Sequence, residues 1–80
     1  MSTNDDWERR HHKAAQSHAS AARRHRESEE QWTRLGDHER AEFERRNARL
    51  EDEAAKLERD RAELVALRSS SPGRPGRKSV

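Results

Sequence analysis

The clearest pattern in the chain is a seven-residue repeat of large apolar side chains in its second half. We call this repeat the leucine stripe; it consists of Phe43, Leu50, Leu57 and Leu64. Because seven residues make about two turns of an α-helix, the four side chains lie on one side of a helix. Such a row is typical of the seam of a coiled coil.

The positions between the stripe residues are mostly polar, so only one of the two rows of the seam is apolar. With the stripe at the d positions of a heptad, the a positions are Asn47, Ala54, Arg61 and Arg68. An asparagine at an a position can specify register or oligomeric state, and it can equally be a polar residue on a weak seam. We expect Arg61 to lay its aliphatic stem along the seam and to keep its charge in water.

The first half of the chain has a thinner amphipathic pattern. Its spacing alternates between four and three residues, through Trp7, His11, Ala14, His18, Ala21, His25, Ser28, Trp32 and Leu35. These positions share one side of a helix, and the basic residues lie mainly on the other. Alanine and histidine would let a partner helix with larger side chains come close.

Helix-capping signals divide the chain. Asp5 and Asp6 suit the first turn of a helix, and Gly36 followed by Asp37 predicts a C-terminal cap and then a new N-cap. The predicted segments are a flexible N-terminus 1–4, a basic helix 5–35, a turn 36–37, a heptad helix 38–68 and a disordered basic tail 69–80. We therefore predict an all-α fold of two long helices, either an αα-hairpin or one continuous rod.

The hairpin predicts specific neighbours across the turn. The first helix would face the leucine stripe, with Trp7 on Leu64 and three small residues on the other members, Ala14 on Leu57, Ala21 on Leu50 and Ser28 on Phe43. The same pairing places His18 near Glu53 and His11 near Asp60. A label on each helix would distinguish the hairpin from the rod, because residues 14 and 57 of a straight rod lie more than about 60 Å apart.

Composition removes several classes of protein. The chain has 80 residues, 42% of them charged, a net charge of +2 and no cysteine. Disulfides and thiolate metal sites are therefore excluded, and the scarcity of β-branched and aromatic residues argues against a sheet. We expect no membrane span and no signal peptide, and a cytoplasmic location.

The histidines are the only candidates for metal or pH chemistry. His11, His18 and His25 share a side but are about 10.5 Å apart along the helix, too far for two of them to hold one ion. Histidine ordinarily gains its proton near pH 6.5, so acidification can loosen a packed face, or can leave it unaffected if the histidines are exposed. We find no catalytic constellation and predict no enzyme activity, no cofactor, no metal and no small-molecule substrate.

Nucleic-acid binding is the second function that the sequence suggests. Between Arg9 and Arg26 there are six basic residues, four histidines and no acid. A basic helix ahead of a heptad repeat resembles the layout of basic leucine-zipper proteins, which bind DNA as dimers. Within residues 18–26 the paired alanines Ala21 and Ala22 and the arginine Arg26 match that family's motif, and His18 stands where the family has its base-reading asparagine.

The C-terminal tail carries a second, shorter resemblance. Gly73, Arg74 and Pro75 are similar to the core of an AT-hook, a motif that binds the DNA minor groove, although Pro72 replaces the arginine expected before the glycine. This resemblance implies contacts to DNA from the tail. The full set of candidate nucleic-acid contacts is Arg9, Arg10, Lys13, Arg23, Arg24, Arg26, Arg74, Arg77 and Lys78.

From these patterns we expect a small helical interaction or scaffold protein that acts by helix packing, as a homo-oligomer or with a helical protein partner. The alternative is a weak, sequence-nonspecific nucleic-acid-binding accessory protein. The predicted packing residues are the leucine stripe together with Asn47, Ala54, Trp7 and Trp32.

Overall fold

A computed structural model describes residues 3–70, except for the side chains of residues 69 and 70. It contains two α-helices, α1 over Thr3–Arg34 and α2 over His38–Ser70. They fold back on each other along their length as an αα-hairpin. The all-α hairpin predicted from the sequence is confirmed, and the rod is excluded. The predicted basic tail, with Arg74, Arg77, Lys78 and the AT-hook resemblance, lies outside the described residues.

The turn between the helices is built from the predicted glycine and aspartate. Gly36 has a φ of 81°, a value that L-amino acids rarely adopt, and its N–H donates to the Thr33 carbonyl at 3.0 Å. The Asp37 N–H donates to the Trp32 carbonyl at 2.9 Å, which completes a Schellman motif. The Asp37 carboxylate then accepts from the Arg40 N–H at 3.0 Å and caps α2.

The helices meet through alanine. The six fully buried residues of the described chain are Ala15, Ala22, Ala41, Ala48, Ala55 and Ala62. The four in α2 recur every seven residues, and we call them the alanine row. Because a methyl group is the smallest side chain that still excludes water, alanines allow the two backbones to approach closely. The centre of the hairpin is therefore a narrow layer of methyl groups.

This core corrects the predicted pairing of the helices. The leucine stripe does not pack on Trp7, Ala14, Ala21 and Ser28 of the same chain. Its members retain between 48% and 66% of their exposure, and Trp7 retains 48%. The alanine row begins two residues before the stripe and, with the same period, occupies the inner side of α2. A hairpin closed on alanines leaves no room for a leucine between the helices, so the stripe faces outward.

Candidate helix-packing interface

Three histidine-glutamate pairs connect the two helices beside the alanines. The Nδ1 atoms of the histidines lie at hydrogen-bond distance from glutamate Oε1 atoms: His11 to Glu58 at 2.7 Å, His18 to Glu51 at 2.6 Å and His25 to Glu44 at 2.6 Å. An ionised carboxylate only accepts hydrogen bonds, so Nδ1 is the protonated nitrogen in each pair. We call this set the His–Glu ladder.

The ladder corrects a second detail of the predicted register. His11 meets Glu58 and not Asp60, and His18 meets Glu51 and not Glu53. The shift is two residues of α2, the same offset that separates the alanine row from the leucine stripe. Both corrections therefore have one cause, which is that alanines close the hairpin. The antiparallel order remains as predicted, with His11 near the far end and His25 nearer the turn.

The ladder is half-buried, and the pair farthest from the turn, His11 and Glu58, has an additional hydrogen-bond donor. The side chains of His11 and Glu58 are 22% and 16% exposed. The hydrogen bond from His11 lowers the pKa of Glu58 below its usual 4.5, partial burial opposes this shift, and the positive charge of Arg61 adds to it. Arg61 Nη1 lies 3.0 Å from Glu58 Oε2. Glu58 is therefore held as a carboxylate between two hydrogen-bond donors.

The opposite side of the hairpin has a different set of contacts. There Arg26 pairs with Asp52, and Arg45 Nε lies 2.9 Å from Glu29 Oε2. These ion pairs are substantially exposed, and ion pairs of this kind contribute little to stability. The hairpin thus has one side of arginine-carboxylate pairs and one side that carries the His–Glu ladder. Arg26, a predicted nucleic-acid contact, is engaged within the fold.

The leucine stripe is the largest apolar feature on the surface of α2. It lies about 130° around the helix from the centre of the alanine and glutamate positions, on the same side of the hairpin as the ladder. Asn47 and Ala54 lie between the stripe and the ladder and are half-buried. Asn47 Nδ2 donates to the Phe43 carbonyl at 3.0 Å, so its amide group is already partly satisfied on its own helix.

The tryptophans have separate surroundings at the two ends of α1. Trp7 stacks on His11 with the ring centroids 6.0 Å apart, and the Arg10 guanidinium lies 5.3 Å from the Trp7 ring centroid. Trp32 is half-buried beside the turn, where the Arg40 guanidinium lies 4.6 Å from its ring centroid. Trp32 therefore packs at the closed end of the hairpin, and Trp7 is exposed at the open end.

Apart from Arg26, the predicted nucleic-acid contacts of α1 lie on its outward surface. Arg9 pairs with Asp6 at 2.7 Å, and Arg23 donates to Ser20 Oγ at 3.1 Å. Lys13 and Arg24 are exposed and form no salt bridge with the part of the chain that the structure describes. Lys13 also borders two shallow, open concavities on this surface.

Two other kinds of site are absent from residues 3–70. No group of three or more histidine or carboxylate side chains there is arranged to hold a metal ion. Neither α1 nor α2 has a stretch apolar enough to cross a bilayer. Comparison of the chain with protein-family models, with curated proteins and with solved structures gave no match.

Sequence reasoning overlooked the alanine row and the glutamates that complete the ladder. A signal for both was present. Glu44, Glu51 and Glu58 have the same seven-residue spacing as His25, His18 and His11, and they run in the opposite order along the chain. In an antiparallel pair of helices this is the arrangement that brings every histidine to a carboxylate at once.

Proposed function

We propose that this protein is a non-enzymatic helical interaction protein that binds another helix through the leucine stripe. One observation carries the proposal: the four stripe residues, Phe43, Leu50, Leu57 and Leu64, are 66%, 61%, 49% and 48% exposed. They lie in one row along α2, at intervals of about 10.5 Å. An exposed apolar row of this kind is typical of an interaction surface.

The composition of the hairpin core supports this proposal. The fully buried residues of the described chain are all alanines, so the hairpin hides few of its large apolar groups by itself. Burying a leucine removes about 2 kcal/mol of unfavourable hydration, whereas an alanine methyl contributes much less. Covering the leucine stripe is therefore the largest stabilisation still open to the folded chain. A helix with a matching seven-residue repeat is the simplest element that covers the whole row.

The spacing of the stripe also favours a helical partner. Side chains at seven-residue intervals insert between four side chains of a facing helix, which is the packing of a coiled coil. Asn47 and Ala54 border the stripe without obstructing it, since one is small and the other already bonds to its own helix. The proposal includes a cytoplasmic location, which rests on the sequence expectation alone.

A photoreactive amino acid placed in the stripe tests the function directly. It would replace Leu57 in cells that express the protein, with the same substitution at Lys56, which points to solvent, as the matched control. We expect an adduct of defined mass from position 57 and none from position 56. Co-expression of an excess of the unlabelled protein in the same cells should reduce the adduct, which would show that the contact is saturable. If position 57 gives no more adduct than position 56, the stripe binds nothing and the function is wrong.

Substitutions in the purified protein test the energetics. Leu50→Gln with Leu57→Gln removes two stripe residues without adding charge, and Arg49→Gln with Lys56→Gln changes the neighbouring outward positions. About half of each leucine is still exposed, so covering the rest is worth about 1 kcal/mol for each, and removing both should raise a dissociation constant about thirtyfold. We expect the leucine variant to lose association in sedimentation and the control to retain it. Equal masses for wild type and both variants would contradict a packed stripe.

A second candidate function, nonspecific nucleic-acid binding, is favoured by the outward basic surface of α1. Arg10, Lys13 and Arg24 follow one another along the side of α1 that points away from α2. Lys13 and Arg24 are not neutralised by salt bridges within the described residues. Exposed basic side chains bind phosphates with an affinity that falls steeply as salt is added.

A gel shift with random duplex DNA tests this candidate. The protein, with Lys13→Gln and Arg24→Gln as the variant, would be compared at about 50 and 200 mM salt, where phosphate contacts differ most in strength. We expect weak binding at low salt that the variant reduces and that higher salt removes. Binding that is absent at low salt, or unchanged in the variant, contradicts a role for this surface.

A further inference from the structure

The hairpin presents two parallel rows on one side, a large row and a small one. The large row is the leucine stripe of α2. The small row belongs to α1 and contains Ala14, Ala21 and Ser28. Going around each helix axis from the buried alanines, one meets first the residues of the His–Glu ladder and then the exposed row. Both rows are therefore on the side of the hairpin that carries the ladder. We call this side the ladder side.

We propose that the ladder side is covered by a second copy of this chain, with a two-fold axis parallel to the helices. In this dimer α1 of each copy lies on α2 of the other, and the four helices form an antiparallel bundle. The inference rests on the proposed function and deepens it, because it names the occupant of the leucine stripe and its orientation. Three observations carry it: side-chain size, charge and area.

Size complementarity favours this arrangement over its alternative. We call the position of a residue along the hairpin axis its height. A two-fold axis parallel to the helices leaves this height unchanged, so each residue of the second copy has the same height as in the first. The leucine stripe then faces the small row; by the register of the ladder, Leu57 lies about two residues, or about 3 Å, along the helix from the height of Ala14 of the second copy, and Leu50 lies equally far from Ala21. Large and small residues, which do not meet within the hairpin, thereby face each other between chains. A perpendicular axis would place leucine on leucine and alanine on alanine, which leaves the two helix pairs at unequal separations.

Charge favours the same arrangement. The segment from Arg9 to Arg26 has six basic residues and no acid, and it would face the same segment across a perpendicular axis. Across a parallel axis it faces α2, which carries nine acidic and eight basic side chains within residues 38–68. The parallel axis thus separates the two basic segments from each other.

The area of the ladder side is that of a stable dimer interface. Two helices, each about 10 Å wide and about 45 Å long over thirty residues, present about 900 Å² on one side. Standard protein interfaces bury about 800 Å² on each partner. Two hairpins laid face to face therefore reach the usual size without further contacts.

Spin labels at single positions of the purified full-length protein test the geometry. The chain has no cysteine, so Arg49→Cys, Lys56→Cys and Glu63→Cys each introduce one label site, at exposed positions about 100° around α2 from the stripe. Each singly labelled protein reports only distances between chains. With a parallel two-fold axis, identical residues lie at equal height, so we expect the same distance at all three sites to within a few ångströms.

The other outcomes separate this inference from the function on which it rests. A perpendicular axis makes the distance change by about 3 Å per residue, hence by up to about 20 Å between neighbouring label sites. That result overturns the orientation and keeps the stripe as an interface. A monomeric mass with no dipolar coupling overturns the second copy as the occupant. The photoreactive Leu57 variant then decides whether a different helical partner preserves the proposed function.

Discussion

The two sides of α2 carry rows with the same period and opposite behaviour. The alanine row, Ala41 to Ala62, is fully buried against α1, and the leucine stripe, Phe43 to Leu64, is about half exposed. Hydrophobicity alone would have placed the leucines inside. The difference teaches that side-chain size and polar partners decide which face closes a thin hairpin. The alanines allow the helices to approach closely and let every glutamate of the His–Glu ladder reach a histidine. The leucines stay outside the hairpin, where we propose that they pack on another helix.

The variant expected to destabilise the hairpin most replaces an alanine of the inner row by leucine, the residue type of the outer row. Ala55 is 2% exposed, so Ala55→Leu adds three carbon atoms where the helices touch. Overpacking of this kind costs about 1–3 kcal/mol, and it would also separate His18 from Glu51 one turn away. We expect a lower urea midpoint and lower helicity at fixed protein concentration, measured by circular dichroism.

The neighbouring alanine provides the matched control. Ala54 is half-buried at the border of the leucine stripe, so Ala54→Leu enlarges the apolar surface without entering the hairpin. We expect this variant to retain its helicity and to associate more tightly in sedimentation. If Ala54→Leu and Ala55→Leu lower the urea midpoint equally, the two sides of α2 do not differ as the structure places them.

The sequence was sufficient to predict the two helices and the turn, but not which residues lie between the helices. Gly36 and Asp37 are strong local signals, because few other residues suit a positive φ followed by an N-cap, and the helices on either side follow from composition and period. The inner face was not predicted because alanine carries little hydrophobic signal and the leucines were assigned to the hairpin first. Local patterns do not set the distance between helices, so only the three-dimensional arrangement shows which seven-residue row lies inside.

The turn offers the next largest expected effect. Gly36→Ala places a side chain at a φ of 81° with no heavy atom within 4 Å of the new carbon, so the cost is backbone strain and not a clash. Left-handed backbone costs an alanine about 1–2 kcal/mol, which should lower the stability of the hairpin by that amount in urea unfolding. Leu35→Ala, at the adjacent exposed position, should change it by much less. An unaffected Gly36→Ala variant would mean that the turn is not fixed by the glycine.

The ladder is expected to contribute less per pair than the alanines beside it. A double-mutant cycle with His18→Gln and Glu51→Gln isolates the pair at the centre of the hairpin. The side chains are 39% and 30% exposed, so we expect a coupling free energy of about 0.5–1.5 kcal/mol in urea unfolding at pH 7. A cycle on Lys56 and Asp60, an exposed pair within α2, should give a smaller value. If the two cycles give equal coupling, the ladder is no more than another surface ion pair.

The smallest expected effect is a dependence of stability on acid at the open end of the ladder. The pKa of Glu58 lies below its unfolded value of 4.5, chiefly because His11 donates a hydrogen bond to it and Arg61 lies close by. A carboxyl with a lowered pKa stabilises the fold at pH values above 4.5, and this contribution is lost as the pH falls through the folded pKa. The stability of wild type should therefore exceed that of Glu58→Gln at pH 7, and the difference should shrink once the pH drops below 4.5. Glu63→Gln, which changes an exposed carboxyl without a salt bridge in the described chain, is the control, measured by urea unfolding at each pH. A difference between wild type and Glu58→Gln that stays constant from pH 7 to pH 3 would show that Glu58 contributes through packing and not through its charge.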